Sequence, residues 1–395
     1  MPKGYLRQDG RKGIRNQVAV AYLVECARHV ANEIVLPYRR SGAQVIGFPG
    51  CFPNEYAQNM MERLCTHPNV GAVLLVSLGC ESFNRFQLEQ VVKDSGRPVQ
   101  SIVIQKSGGT RSSIQAGQVW VEDQIAALAE TPVVDLAVSD LIVGTVCGGS
   151  DATSGITGNP AVGLAFDRLG EAGAACIFEE TGELIGCEQI MADRAATPAL
   201  GREIVACVDK AAAYYATLGF GSFAAGNAEG GLSTIEEKSM GAYAKSGSAP
   251  IVGLIKPGDI PPTGGLYLMD VVPDGEVRYG FPNINDNAEI AEMIASGAHL
   301  ILFVTGRGSV VGSAISPVIK ICANPDTFAR LSEDMDVNAG RILHGEALAA
   351  VADEIFDCVT EVADGQPTKS EDLGHTEFIL TYKSFEPIGP SCLPV

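Results

Sequence analysis

The strongest constraint on this chain is an ordering that recurs along it: an apolar, β-branched run, then a polar loop rich in glycine, then a helical pattern. Leu141 to Val146 is one such run. It passes into Cys147-Gly148-Gly149-Ser150-Asp151-Ala152-Thr153-Ser154-Gly155-Ile156-Thr157-Gly158-Asn159-Pro160, and helical spacing follows from Ala161 to Leu169. The same ordering carries Val45 to Phe48 into Pro49-Gly50-Cys51, Val70 to Leu78 into Gly79-Cys80-Glu81, Ala175 to Phe178 into Glu179-Glu180-Thr181-Gly182, and Leu300 to Val304 into Thr305-Gly306-Arg307-Gly308-Ser309. Strands alternating with helices build parallel sheets. In open α/β sheets ligands bind beyond the carboxyl ends of the strands. Glycine lets the backbone approach a ligand, and amides at a helix N-terminus point at anions. The expectation is an α/β protein with mostly parallel sheets and a large polar site made of glycine-rich loops at strand ends.

The alternation sets the domain organisation. Strands are expected at 18–24, 45–48, 70–78 and 99–105, with helices at 27–35, 55–65 and 84–94 and a further one from Thr110 to about Leu128. Pro132 marks a boundary, which gives an N-terminal α/β domain over 1–132 and a C-terminal α/β catalytic domain over 133–395. In the second domain helices are expected at 160–172, 184–194, 198–216, 233–245 and 286–296, and strands at 250–255, 265–270, 299–305 and 317–322. Gly219 to Gly231 is too glycine-rich for a strand and too long for a turn, so it is a functional-loop candidate.

Charge and cysteine content exclude several classes of function. A formal charge of −19 argues against nucleic acid or an acidic membrane as partner. No stretch approaches the ~20 apolar residues of a membrane span, and the start, Met1-Pro2-Lys3-Gly4-Tyr5, lacks the apolar core of a signal peptide. Eleven scattered cysteines suit reduced thiols in a cytoplasm.

Four groups of residues carry candidate chemistry. The Cys147 loop offers Ser150, Asp151 and Asn159 to a ligand, with Asn159 a plausible N-cap and Pro160 a plausible first helical residue. Thr305 to Ser313 supplies amides, hydroxyls and the guanidinium of Arg307, a cradle for a carboxylate, phosphate or sulfonate, with Ser309 beside it. Lys238 and Lys245 lie two turns apart in a helix that opens with a capping box at Ser233 to Glu236. A desolvated lysine there serves as a base or anchors a carboxylate; on a solvated face it does neither. Cys51, Cys80 and Cys147 all follow strands. Convergence on a metal with Glu81, Asp151 or Glu180 and simple core packing both stay open for them. The five histidines form neither a metal cluster nor a Ser-His-Asp pattern.

Taken together these segments resemble the altronate/galactarate dehydratase family over essentially the whole chain. The matching pieces are Gly4-Tyr5 with Asp9-Gly10-Arg11 and Gly13-Ile14-Arg15-Asn16, His67-Pro68-Asn69-Val70-Gly71, Gly79-Cys80-Glu81, Gly108-Gly109-Thr110-Arg111, Cys147-Gly148-Gly149-Ser150-Asp151, Ser154-Gly155-Ile156-Thr157, Asn159-Pro160-Ala161, Glu237-Lys238-Ser239, Thr305-Gly306-Arg307-Gly308-Ser309, Asp334-Met335-Asp336-Val337-Asn338 and Lys369-Ser370-Glu371. The resemblance implies a lyase acting on 2-hydroxy acids with a divalent metal, iron as Fe2+. It adds Arg111 to the substrate-binding candidates Ser150, Asp151, Asn159, Arg307 and Ser309. It adds Glu188, where such enzymes often read Glu-His and this chain reads Glu188-Gln189, to the catalytic candidates Lys238 and Lys245. Cys51, Cys147 and Glu180 are the first metal ligands to test.

The first loop departs from the sugar-acid pattern. Gly47-Phe48-Pro49-Gly50-Cys51-Phe52-Pro53-Asn54 stands where sugar-acid dehydratases carry a histidine- and glycine-rich cysteine loop. In this the chain resembles the branch of the family that releases sulfite from (2R)-sulfolactate and forms pyruvate. Loss of water from altronate or galactarate is the alternative. The chain opens at the Gly4-Tyr5 segment, where some relatives have a fused N-terminal domain, so a separate small subunit and an oligomeric assembly are expected. A non-catalytic binding subunit is the reading from a different class, and the five polar strand-end loops argue against it.

Overall fold

The computed structural model describes residues 2–218, 225–275 and 285–380. The loop candidate at 219–231 therefore lies outside the described residues over 219–224, and so does the proline-containing tail from 381. The N-terminal half holds a parallel four-stranded sheet in the order Ala43–Gly47, Gln17–Tyr22, Val70–Ser77, Val99–Val103. The C-terminal half holds a parallel seven-stranded sheet in the order Ile251–Ile255, Gly265–Met269, Ala175–Phe178, Ile142–Cys147, Leu300–Thr305, Val318–Cys322, Val337–Asn338. A small antiparallel sheet of Lys12–Gly13, Lys3–Leu6 and Val133–Asp135 joins the chain's start to its middle.

Side-chain alternation along the strands assigns the layers. In Leu300–Thr305, Leu300, Leu302 and Val304 face a core shared with Val162 and Phe166 of helix Gly158–Glu171 and Ile355 of helix Leu348–Ala363. Ile301 and Phe303 face the opposite way, into a core that also takes Ala19, Ala21 and Leu75 of the four-stranded sheet. Met60 of helix Glu55–Cys65 and Met293 of helix Asp286–Ala295 fill that middle layer. Val18 and Val20 turn outward onto helices Glu25–Val35 and Thr110–Leu128. Each fully buried aliphatic or aromatic side chain in such a layer contributes about 1.5–3 kcal/mol. The middle core therefore binds the two halves through side chains from both.

Strand order fixes where a site belongs. Ile142–Cys147 is followed in sequence by Ala175–Phe178 on one side, while Leu300–Thr305 lies on its other side. The connections leave this central strand in both directions, and a crevice opens beyond its carboxyl end. Thr145 pairs with Phe178, so Cys147 comes level with the residues just after Phe178.

Candidate active site

Cys147 ends its strand fully buried, and Glu179 and Glu180 follow the neighbouring strand, buried as well. The Cys147 amide donates to Glu180 Oε2 at 3.2 Å, and Cys147 Sγ lies 3.4 Å from the same oxygen. Glu183 Oε2 is 3.9 Å from Sγ. Glu180 has φ of 75°, the one left-handed non-glycine residue among those described. Such a conformation costs about 1–3 kcal/mol and persists where the surroundings over-determine it; here it turns the carboxylate back toward Cys147.

The lysines arrive from helix Ile235–Ala244. Thr234 caps that helix by accepting from the Glu237 amide at 3.3 Å, while the Glu237 carboxylate accepts from the Ser233 amide. The N-cap is thus Thr234 rather than Ser233, and Glu237 reaches past the cap to Ser233 instead of closing a capping box. Lys238 Nζ lies 3.2 Å from Cys147 Sγ and donates to Ser150 Oγ at 3.0 Å; Lys245 Nζ, from the residue after the helix, lies 3.5 Å from the same sulfur. Lys238 also pairs with Glu183, and Lys245 with Glu180. Lys238 is 4% exposed and Lys245 0%, so neither belongs to a solvated face. Burial pushes the Lys238 ammonium pKa down, but the fields of Cys147 and Glu183 push it up by more, and the net shift is upward.

The remaining sequence candidates divide between this cluster and its supports. Asn159 lies inside helix Gly158–Glu171 rather than capping it, and its Nδ2 donates to the Gly241 carbonyl at 2.9 Å, which ties down the lysine helix. The helix begins at Gly158 because Thr157 turns away to donate to the Ala323 carbonyl, so Pro160 is its third residue. Asp151 accepts from the Thr153 amide and from Asn324 Nδ2, both at 2.9 Å. A Cβ on Gly306 would stand 2.1 Å from Asp151 Oδ1, so glycine is required where the two strand-end loops meet. Arg307 donates to the Gly226 carbonyl at 2.6 Å and pairs with Glu229 at 2.9 Å, holding the short helix Ala225–Glu229 over the loop. Ser309 Oγ accepts from the Val311 amide at 3.2 Å. Glu188 accepts from the Gly186 amide at 2.7 Å at the start of its own short helix. Arg111 is exposed on the first turn of helix Thr110–Leu128 in the N-terminal half.

Cys51 and Cys80 are exposed, and the groups of metal-ligating atoms among the described residues do not include them. Those groups are Cys147 with Glu180 and Glu183, and Glu179 with Glu180 and Glu289. Within each, the ligand atoms lie within 4.8 Å of one another. The donor set fits a divalent cation. Both carboxylate oxygens of the fully buried Glu179 lack a hydrogen-bond partner among the described residues, and a buried carboxylate needs a compensating charge.

Sequence reasoning passed over Glu179, Glu183, Glu289 and Asp286. The signal was present: Asp286, Glu289 and Glu292 recur every third residue along one face of an otherwise apolar helix. Asp286 packs against the Cys147 loop so closely that a Cβ on Gly148 would be 2.0 Å from its carboxylate. Burial, and then the field of Glu183, pushes its pKa up to about 6. Tyr56, from the N-terminal half, donates to Glu292 behind the cluster.

Comparison with known proteins places this geometry in a lineage. Residues 138–385 match the C-terminal domain of D-galactarate/altronate dehydratases, and residues 4–129 match the second domain of D-galactarate dehydratase/altronate hydrolase. The chain belongs to the D-galactarate/altronate dehydratase family. It is 33% identical over 96% of its length, and 96% of the relative's, to the (2R)-sulfolactate sulfo-lyase subunit beta of Chromohalobacter salexigens. It is 28% identical to the altronate dehydratase of Escherichia coli, covering 93% of this chain and 74% of that one, and 29% identical to galactarate dehydratase from the same organism, covering 92% and 73%. The family is one of lyases, and this member is a lyase. No helix among the described residues is long and apolar enough to cross a membrane.

Proposed function

We propose that the chain is the large subunit of a carbon–sulfur lyase that converts (2R)-sulfolactate to pyruvate and sulfite. The observation that carries the proposal is the pair of buried lysines meeting Cys147 opposite Glu180 and Glu183. The near-complete match in length to a sulfo-lyase beta subunit supports the substrate, since the dehydratase relatives are longer than the region they share with this chain. A substrate with a carboxylate and a sulfonate brings two negative charges, and elimination adds a third as sulfite forms. Lys238 stays an ammonium at neutral pH, which suits it to neutralise a departing sulfite and not to abstract a proton. Lys245 is placed to share that work.

In this reading Asp286 is the base. It is a carboxylate above about pH 6 and takes the C2 proton. The C2–H electron pair is first held at C2, delocalised into the carboxylate; it then forms the C2–C3 double bond as the C3–S bond breaks, and the enol ketonises to pyruvate. Cys147, Glu180 and Glu183 would hold a divalent cation, iron by family resemblance, which supplies Lewis-acid polarisation of the 2-hydroxy carboxylate. Ser150, fixed by Lys238, offers a hydroxyl to the same anion. The beta-subunit name of the relative supports assembly with a small subunit, and the free thiols of the described residues suit a reducing cytoplasm.

The test is a substrate comparison. The chain with Fe2+ and its small partner subunit is incubated anaerobically with sulfolactate, altronate and galactarate, and sulfite, pyruvate and 2-keto-3-deoxy acids are assayed. Equal amounts of sulfite and pyruvate from sulfolactate alone are expected. Keto-deoxy acids from a sugar acid without sulfite release would replace this reading with a dehydratase.

A further inference from the structure

The exposed thiols among the described residues are Cys26, Cys51 and Cys80; the other free cysteines there are buried or half-buried. A free cysteine ordinarily packs in a core, and an exposed thiol is open to oxidation. These three are not scattered. Tyr22 pairs with Gly47 on one side and with Val76 on the other, and each thiol stands four residues beyond that row, at 26, 51 and 80. Backbone pairing continues past the strand ends. The Phe48 amide donates to the Tyr22 carbonyl at 2.9 Å and the Leu23 amide to the Val76 carbonyl at 3.0 Å. The Glu25 amide then donates to the Pro49 carbonyl at 3.1 Å, and the Ser82 amide to the Cys51 carbonyl at 2.9 Å. The Cys51 loop is thereby bonded to the turns that carry Cys26 and Cys80. Glu81 accepts from the Gly79 amide at 2.8 Å and from the Ser77 hydroxyl, which fixes the Cys80 turn. Helices Glu25–Val35 and Glu55–Cys65 leave this edge onto opposite faces of the four-stranded sheet, and ligands bind where such connections diverge.

We propose that Cys26, Cys51 and Cys80 bind an iron–sulfur cluster at this edge. Thiolates are the protein ligands of such clusters, and inorganic sulfide bridges the irons. A single tetrahedral ion draws its ligand atoms close together, and the groups of three ligand atoms within 4.8 Å of one another among the described residues include none of these sulfurs. A cluster of several irons holds its thiolates farther apart, which suits thiols carried by three separate turns around one crevice. Because each thiol comes from a different turn, no run of closely spaced cysteines marks the site in the sequence. The site is separate from Cys147, Glu180 and Glu183, which follow strands of the other sheet, and it does not depend on those residues holding a cation.

The experiment measures acid-labile sulfide, which a lone iron ion at Cys147 does not hold. The full chain is incubated anaerobically with Fe2+ and inorganic sulfide and desalted, and bound sulfide and visible absorbance are recorded. Both are expected in the unaltered chain and in Cys147→Ser, and both should be lost in Cys26→Ser, Cys51→Ser and Cys80→Ser. Absence of bound sulfide from the unaltered chain overturns the proposal, as does its full retention by any of those three variants. The unaltered chain also tests the ligands directly. In the loaded chain Cys26, Cys51 and Cys80 should be protected from iodoacetamide, and stripping with a chelator should restore their labelling, read by peptide mass spectrometry. Equal labelling of the three thiols before and after stripping overturns the assignment even where a variant fails to fold. Sulfolactate turnover is not part of the readout, so failure here and failure of the sulfo-lyase reading are distinguishable.

Discussion

Among the residues at the site, Lys238 and Asp286 have opposite electrostatic histories, and their roles follow from the difference. Lys238 is buried among negative groups that keep its proton on; Asp286 is buried beside Glu183, and its pKa rises to about 6. Lys238→Ala should lower kcat by roughly 100-fold or more, because stabilisation of the leaving anion is lost, while exchange of the substrate C2 proton with solvent deuterium persists. Asp286→Asn should abolish that exchange. In the unaltered enzyme kcat/KM should rise with pH through about 6, since the base must first lose its proton, and this limb should vanish in Asp286→Asn. Loss of exchange in Lys238→Ala with retention in Asp286→Asn would reverse the assignment. Arg307, read from its glycine loop as the anion grip, donates to the Gly226 carbonyl and pairs with Glu229, contacts which hold the overlying segment. Sequence showed that a guanidinium stood at a strand end but not which acceptor it would find, because that acceptor lies 78 residues or more away in the chain.

Between elements, the decisive contact is that of helix Gly158–Glu171 with helix Ile235–Ala244 and the turn after it. A Cβ on Gly163 would stand 2.1 Å from the Ala244 carbonyl, and Gly155 and Gly241 meet Cα to backbone in the same interface. The absence of side chains lets the lysine helix lie close enough for Lys238 and Lys245 to reach Cys147. Gly163→Ala should therefore destabilise the fold by about 1–3 kcal/mol through overpacking and displace both lysines. A lowered urea midpoint together with reduced activity is the expected result; unchanged values for both would show that the helices have room to separate. The elements themselves were largely legible. Apolar runs and their glycine endings placed the parallel strands within a few residues, as at Leu300–Thr305, and the helix over 55–65 matches Glu55–Cys65. Short antiparallel pieces such as Lys3–Leu6 were not, since they lack an apolar run and exist through pairing with a strand some 130 residues away. Helix Leu348–Ala363 was also missed, although Val351, Ala352, Ile355, Val359 and Val362 recur at helical spacing, because the acids of its other face make the segment read as merely acidic.

At the scale of the whole molecule, the two halves meet at a seam built from residues that sequence alone left without a role. Asn69 donates to the His299 and Ile315 carbonyls and accepts from the Ile14 amide at 2.9 Å. His299 Nδ1 accepts from the Ile142 amide at 2.9 Å, so its Nε2 carries the proton and donates to the Lys12 carbonyl at 2.9 Å. Arg15 grips Glu371 with two bonds of 2.7 and 2.9 Å across the same seam, and His67 packs edge-on to His299 with ring centroids 6.2 Å apart. Burial pushes the His299 pKa down to about 4 and that of His67 well below its ordinary value. Folding therefore keeps both rings neutral over a range where the unfolded chain, with histidine near 6.5, binds protons. The stability these groups contribute is present above about pH 6.5 and is lost as the pH falls toward 4. For His299 the loss amounts to about 3 kcal/mol, of which most is spent before the carboxylates titrate. His299→Gln keeps a donor and an acceptor but cannot titrate, so it should cost stability at neutral pH yet flatten the fall of the urea midpoint between pH 6.5 and 4.5. Parallel curves for the variant and the unaltered chain would remove His299 from the account of acid sensitivity. A flatter curve would tie the acid sensitivity to His299, because the proton that enters Nδ1 removes the acceptor of the Ile142 amide on the strand ending in Cys147.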